Sequence, residues 1–161
     1  MSVAVDVARD GVRVALSEAR VCEIVRYVCR REHLPDALIS VAFITRTRMA
    51  RLNREFLGHA GATDIITFEL HDPEPARTIA TPGKPRKSVH KTAQAVIGDI
   101  YISPEVAGAN ARDQGIGVRE ELVRLVVHGT LHVLGYTHGE GEERMTGDMW
   151  RRQEALVGAI S

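Results

Sequence analysis

Three histidines fall within one short stretch of the chain, His128-Gly129-Thr130-Leu131-His132-Val133-Leu134-Gly135-Tyr136-Thr137-His138. The first two are four residues apart. On a helix that spacing stacks both side chains on one face, about 6 Å apart. Two imidazoles so placed can ligate one metal ion. Gly135 lets the helix end, because glycine accepts the left-handed conformation that a helix C-terminus often needs. The chain can turn there and return His138 toward the same ion. Three neutral imidazoles with an open fourth position are the ligand set of a catalytic zinc site. Such an ion keeps its charge of +2, because neutral ligands cancel none of it. It therefore favours a phosphate oxygen and lowers the pKa of bound water toward about 7. The competing reading is three unrelated core or surface histidines, and ligand spacing with a glycine at the turn weighs against it.

The spacing H-x-x-x-H-x-x-G-x-x-H also resembles the metzincin protease pattern, in which a glutamate follows the first histidine as general base. Here that position is Gly129. The metal cage is kept and the peptide-cleaving base is absent. Proton transfer must come from elsewhere, from the water itself or from a substrate; in RNA the 2′-OH is an internal nucleophile.

Several elements must position these ligands. A helix is predicted from Val118 to Leu134, with Leu122, Leu125, Val126 and Leu131 burying its back and His128 and His132 toward a cleft. After Gly139-Glu140-Gly141 a last helix carries Met145, Met149, Gln153 and Leu156 along one side, with the methionines as core residues. Upstream, Val3–Val7 is predicted as a strand. Asp10-Gly11 signals a turn, and Val12–Val14 a short returning strand. Ser17 caps a helix running to about Glu32, with Val21, Ile24, Val25, Val28 and Cys29 on its buried face and Pro35 beyond its end. Leu38–Thr45 is apolar and β-branched, hence a strand. Thr45 or Thr47 caps the next helix, with Met49, Leu52 and Phe56 inward and Gly58 closing it. Its other face carries Arg46, Arg48, Arg51 and Arg54, either as a solvated surface or as a phosphate-contacting edge.

Asp64–Leu70 alternates as a strand. Residues 71–93 hold four prolines and the basic run Lys84-Pro85-Arg86-Lys87, the pattern of a long flexible loop, as a surface insertion or an arm toward RNA phosphates. Ala95–Ile102 is a strand holding Gly98-Asp99. Ser103-Pro104-Glu105 starts a helix that reaches about Gln114 and ends at Gly115. Asp64 and Asp99 are expected to make structural hydrogen bonds at strand ends. Tyr136, beside the ligands, either lines the cleft or closes the core.

Composition bounds the rest. At 161 residues the chain is expected to be a single domain, 1–161, of class α+β. Lys plus Arg equals Asp plus Glu at 21 each, which argues against a non-specific nucleic-acid coat and permits a local basic groove. No apolar run reaches membrane-spanning length, and the alternating, acid-bearing N-terminus is not patterned as a signal peptide. A cytoplasmic location without membrane association is the expectation. Cys22 and Cys29, seven apart on one helix and so about 10.5 Å apart, cannot form a disulfide.

The stretch HGTLHVLGYTH resembles the H-G-x-L-H-L-x-G-Y-D-H signature of the YbeY family of bacterial metal-dependent endoribonucleases. LNREFLGHAGATDIITF, from Leu52 to Phe68, is similar to that family's L-N-x-x-F-R-G-K-D-x-P-T-D-V-L-S-F. IGDIYIS, from Ile97 to Ser103, is similar to its G-D-I-x-I-S. The resemblance covers most of the chain from residue 40 onward. It implies a small twisted, roughly four-stranded sheet packed with about five helices. It also implies one zinc ion per chain held by His128, His132 and His138, with His128 doubling in catalysis. The implied activity is zinc-dependent, single-strand-specific endoribonuclease cleavage in ribosomal RNA maturation and ribosome quality control. Ribosomal RNA and the ribosome or ribosomal proteins are the implied partners. The family's active Arg corresponds to Leu57 here, and Arg54, one turn earlier, is the residue able to take its place in catalysis. His59 and Ala60 stand where the family has Lys and Asp. Thr137 replaces the family Asp, so a different acceptor must orient an imidazole there. Two other classes compete: a non-catalytic RNA- or ribosome-binding protein with a structural metal, and a zinc peptidase.

Overall fold

The computed structural model describes residues 2–70, 96–136 and 147–160. Four strands, β1 (Val3–Arg9), β2 (Ala37–Phe43), β3 (Ile65–Glu69) and β4 (Val96–Ile102), form one sheet in the order β1-β2-β4-β3. β1, β2 and β4 run parallel, and β3 closes one edge antiparallel to β4. The helices are α1 (Glu18–Arg31), α2 (Arg46–Leu57), α3 (Pro104–Gln114), α4 (Val118–Val133) and α5 (Asp148–Ile160). The architecture is α+β, with the expected four strands and five helices among the described residues.

Local chemistry sets most boundaries. Ser17, Thr45 and Ser103 each accept a backbone N–H in the first turn of α1, α2 and α3. These bonds satisfy donors that a helix start otherwise leaves unpaired. α2 and α3 end at Gly58 and Gly115 in the left-handed conformation. α1 stops before Pro35, at Glu32, where His33 turns the backbone with φ 58°.

The sheet's two faces hold different cores. Ile39, Val41, Phe43, Ile100 and Ile102 face the main core, shared with α1, α4 and α5. Ile66 on the opposite face meets Met49 and Ile44, with Leu52, Phe68 and Tyr101 packed around them. Strand alternation separates these sets, because successive side chains point to opposite faces. α2 therefore lies across the sheet from α4. Each fully buried aliphatic side chain contributes roughly 1.5–3 kcal/mol.

α4 lies close on the sheet at two glycines. A Cβ on Gly98 would stand 2.3 Å from Val133 Cγ1, and one on Gly129 would stand 2.8 Å from Ile100 Cγ2 and 2.9 Å from Ile65 Cδ1. Only glycine admits this approach, which brings the histidine helix down onto β4.

Two expectations are corrected. Val12–Val14 forms no strand: β1 pairs with β2 along its whole length, and Val12 and Val14 instead pack against the main core. Phe56 is not inward. It is 61 % exposed and meets Phe68 edge-on at 5.6 Å, because the buried position of that turn is Asn53, whose amide donates to the Gly61 carbonyl at 2.9 Å. The predicted loop at 71–93, along with Thr137, His138 and Met145, lies outside the described residues.

Candidate metal centre

α4 is buried along Leu122, Leu125, Val126 and Leu131, as its apolar pattern predicts. His128 and His132 are half-buried on its remaining face, their ring centroids 4.7 Å apart and the planes at 77°. Helical spacing alone brings them together. Their orientation comes from two acceptors on other parts of the chain.

His128 Nδ1 lies 2.6 Å from Gln153 Oε1 on α5. Gln153 is buried, and its Nε2 donates to Glu154 Oε2 at 3.2 Å. Glu154 in turn accepts two bonds from Arg124, at 2.9 and 3.0 Å. Because a carboxylate only accepts, the amide nitrogen of Gln153 must face Glu154 and its oxygen must face His128. Nδ1 of His128 is then the protonated nitrogen, and Nε2 carries the lone pair. The same logic holds for His132, whose Nδ1 donates to the Tyr136 carbonyl at 2.9 Å. Both imidazoles are thus set in the tautomer that ligates a metal through Nε2. Among the described residues no group of three His, Cys, Asp or Glu side chains converges as a metal site, and His138 lies outside those residues.

Tyr136 is itself held. The backbone turns at Gly135 with φ 107°. The Tyr136 hydroxyl donates to Glu32 Oε2 at 2.9 Å, and its ring packs against the main core. Glu32 also pairs with Arg152 of α5. Its hydrogen bond to Glu32, with burial, raises the Tyr136 pKa. Tyr136 closes the core, and its contribution to the site is the backbone carbonyl.

His128 opens on a cleft of about 830 Å³, lined among others by Asp64, Glu121, Arg124, Trp150 and Gln153. Burial raises the Asp64 pKa against hydrogen bonds from its own and the Ile65 backbone, from Thr63 and from Asn110, whose Nδ2 lies 3.2 Å away. Burial likewise raises that of Glu121, opposed by Arg124 and reinforced by Asp64, Glu120 and Glu154. Burial works against charge on Glu154 too, but the bonds from Arg124 and Gln153 prevail and lower its pKa. Arg54 does not line this cleft. It lies on α2 in a separate groove with Arg46 and Arg51. Cys22 and Cys29 are both free thiols, and burial pushes Cys29 up to about 11.

Gln153, Glu154, Arg124 and Glu121 escape sequence reasoning as site residues. Gln153 shows only as a polar position on an otherwise apolar helix side. That signal marks a buried amide and does not say what the amide holds.

Among the described residues no helix is long and apolar enough to cross a membrane. The chain matches the family model of the endoribonuclease YbeY over residues 8–161. It is 34 % identical over 141 residues to an endoribonuclease YbeY of Beutenbergia cavernae, covering 86 % of this chain and 87 % of that one. An endoribonuclease YbeY of Acidothermus cellulolyticus is 32 % identical over 157 residues, covering 96 % and 90 %. The fold is similar to that of a Thermotoga maritima protein known from its solution structure, with a TM-score of 0.58 at 20 % identity over 97 % of this chain and 88 % of that one. The family match runs through β2, β3 and β4, the histidine helix and the last helix that holds Gln153, and on that footing the chain belongs to the YbeY family of endoribonucleases.

Proposed function

We propose that this protein is a zinc-dependent endoribonuclease specific for single strands, acting in ribosomal RNA maturation and ribosome quality control in the cytoplasm. Ribosomal RNA and ribosomes or ribosomal proteins are its partners. One zinc ion is held by His128, His132 and His138. The observation that carries this reading is the pair of imidazoles 4.7 Å apart, each with Nδ1 engaged by a neutral acceptor. The donor chemistry fits zinc: neutral nitrogen ligands with their tautomers set from outside. When bound, zinc supplies Lewis-acid polarisation of a phosphodiester and acidifies water.

The chain's own residues bind and orient. Gln153 and the Tyr136 carbonyl hold the rings, and the cleft beside His128 receives the strand. Arg54 is assigned to a substrate phosphate away from the scissile one, since it lines a different groove from His128. The peptidase alternative needs a base at position 129. That position faces the sheet, where even a methyl group meets Ile100 and Ile65.

Cleavage of an unstructured RNA by wild type and by His132→Ala, with metal content measured for both, tests this reading. Wild type is expected to carry about one zinc per chain and to cut, and the variant to do neither. A zinc-loaded wild type that cuts no RNA in any context, ribosomes included, overturns it.

A further inference from the structure

Beyond the cleft of His128, two further depressions run across the surface. One, of about 670 Å³ beside α3, is lined by Arg46, Glu105, Arg112 and Ile116. The other, of about 400 Å³ on α2, is lined by Arg46, Arg51, Arg54 and Ala62. Ile116 also lines the His128 cleft, so the first depression adjoins it. Arg46 belongs to both arginine-lined depressions and joins them. Shared lining residues thus set the three in order, from the His128 cleft through Ile116 to the depression beside α3 and through Arg46 to the one on α2.

What sets the arginines of this path apart is that they share adjoining depressions, since Arg9, Arg13, Arg26, Arg30, Arg31 and Arg119 are likewise without a carboxylate in ion-pair range among the described residues. Arg20, Arg48, Arg124, Arg151 and Arg152 each pair with a carboxylate. Among the described residues, no carboxylate lies in ion-pair range of Arg46, Arg51, Arg54 or Arg112, all of which are exposed. The one acid of the α3 depression, Glu105, accepts the Arg46 backbone N–H at 2.9 Å and so helps cap α2. Arg46 and Arg54 lie eight residues apart, about 12 Å along α2. In a chain of zero net charge, this is a local excess of unneutralised guanidinium groups. An extended polyanion suits it: the arginines line open, adjoining depressions that lead toward the cleft of His128.

We propose that Arg46, Arg51 and Arg112, together with Arg54, form a phosphate-binding track that carries single-stranded RNA between the His128 cleft and α2. The track rests on the endoribonuclease reading and adds where the strand runs. It holds the backbone, not the bases, so it acts on strand length and is indifferent to sequence.

The test is fluorescence anisotropy of metal-loaded protein with 2′-O-methylated RNA, a long unstructured oligonucleotide against a tetranucleotide, over a range of salt. In Arg46→Ala/Arg51→Ala/Arg112→Ala, affinity for the long strand is expected to fall at least about tenfold, and the salt slope by about 2, from about 0.7 per lost phosphate contact. The loss is larger for the long strand than for the tetranucleotide. The matching triple lysine variant keeps the slope, because point charges suffice. Circular dichroism shows both variants folded. A wild-type slope in the alanine variant, or equal losses for both RNA lengths, overturns the track. If that variant keeps RNA binding but loses adhesion to polyglutamate, the face belongs to an acidic protein and the track is again overturned. If wild type cuts the unmodified tetranucleotide and the alanine variant binds long RNA normally, only the track fails. A wild type that neither binds nor cuts RNA ends both readings.

Discussion

His128 and His132 depend on acceptors that lie on other elements. Gln153 is the more exacting of the two, because its amide works only in one orientation, set by Glu154 and Arg124. Gln153→Leu removes the acceptor while filling the space. Its zinc affinity, measured by competition with a chromophoric chelator, is expected to fall about 10–100-fold. Gln153→Glu keeps an acceptor toward His128 but sets a carboxylate oxygen against Glu154, so it is expected to fall between wild type and the leucine variant. Unchanged affinity in the leucine variant would remove Gln153 from the site. Glu121 is a second residue whose environment makes a prediction. It is 4 % exposed, and its Oε2 has no hydrogen-bond partner among the described residues. Its folded pKa lies above the ordinary value, so the folded state holds the proton more tightly than the unfolded one. Stability from this group is present below the unfolded carboxyl range and is lost as pH rises through the folded pKa. Glu121→Gln is expected to match wild type below about pH 4. Near neutrality it should exceed wild type by about 1 kcal/mol, roughly 2–4 °C in Tm. Thermal unfolding across pH measures the gap, and a gap independent of pH would contradict the cause given.

At the scale of elements, α4 is placed by what lies under it. Val133 sits over Gly98 and the isoleucines of β3 and β4 sit under Gly129. Gly98→Ala forces Val133 aside, and a β-branched side chain has few rotamers to retreat into. Urea unfolding is expected to show a loss of about 1–3 kcal/mol, and stability equal to wild type would mean that the helix is free to lift. Most element boundaries were legible, because caps act within one turn: Ser17, Thr45 and Ser103 bond to backbone three residues on. Val12–Val14 was misleading. Its alternation and the preceding Asp-Gly describe a hairpin, but the segment packs Val12 and Val14 onto the main core instead of adding to the open edge of β1. Phe56 was misleading for a related reason: an apolar residue at helical spacing predicts burial, and here the amide of Asn53 occupies the inner position.

The whole molecule distributes one site over distant parts of the chain. The His128 bond spans 25 residues, and Glu32 reaches Tyr136 over 104 and Arg152 over 120. The same folding sets α2 on the face of the sheet opposite α4, which separates Arg54 from His128. Zero net charge says nothing of how charge is arranged; folding pairs some arginines with acids and gathers Arg46, Arg51, Arg54 and Arg112 in two depressions that share Arg46.

The sequence by itself determined what is local. The histidine spacing, helix starts, the buried stripes of α1 and α4 and the α+β class all follow from periodicity and short-range hydrogen bonds. Only the tertiary structure decided which acceptors set the imidazole tautomers, that position 129 faces the sheet, and that Arg46 links two grooves. The physical reason is that each of these is a contact between elements, and helical or strand period states which face a residue takes but not what that face will meet.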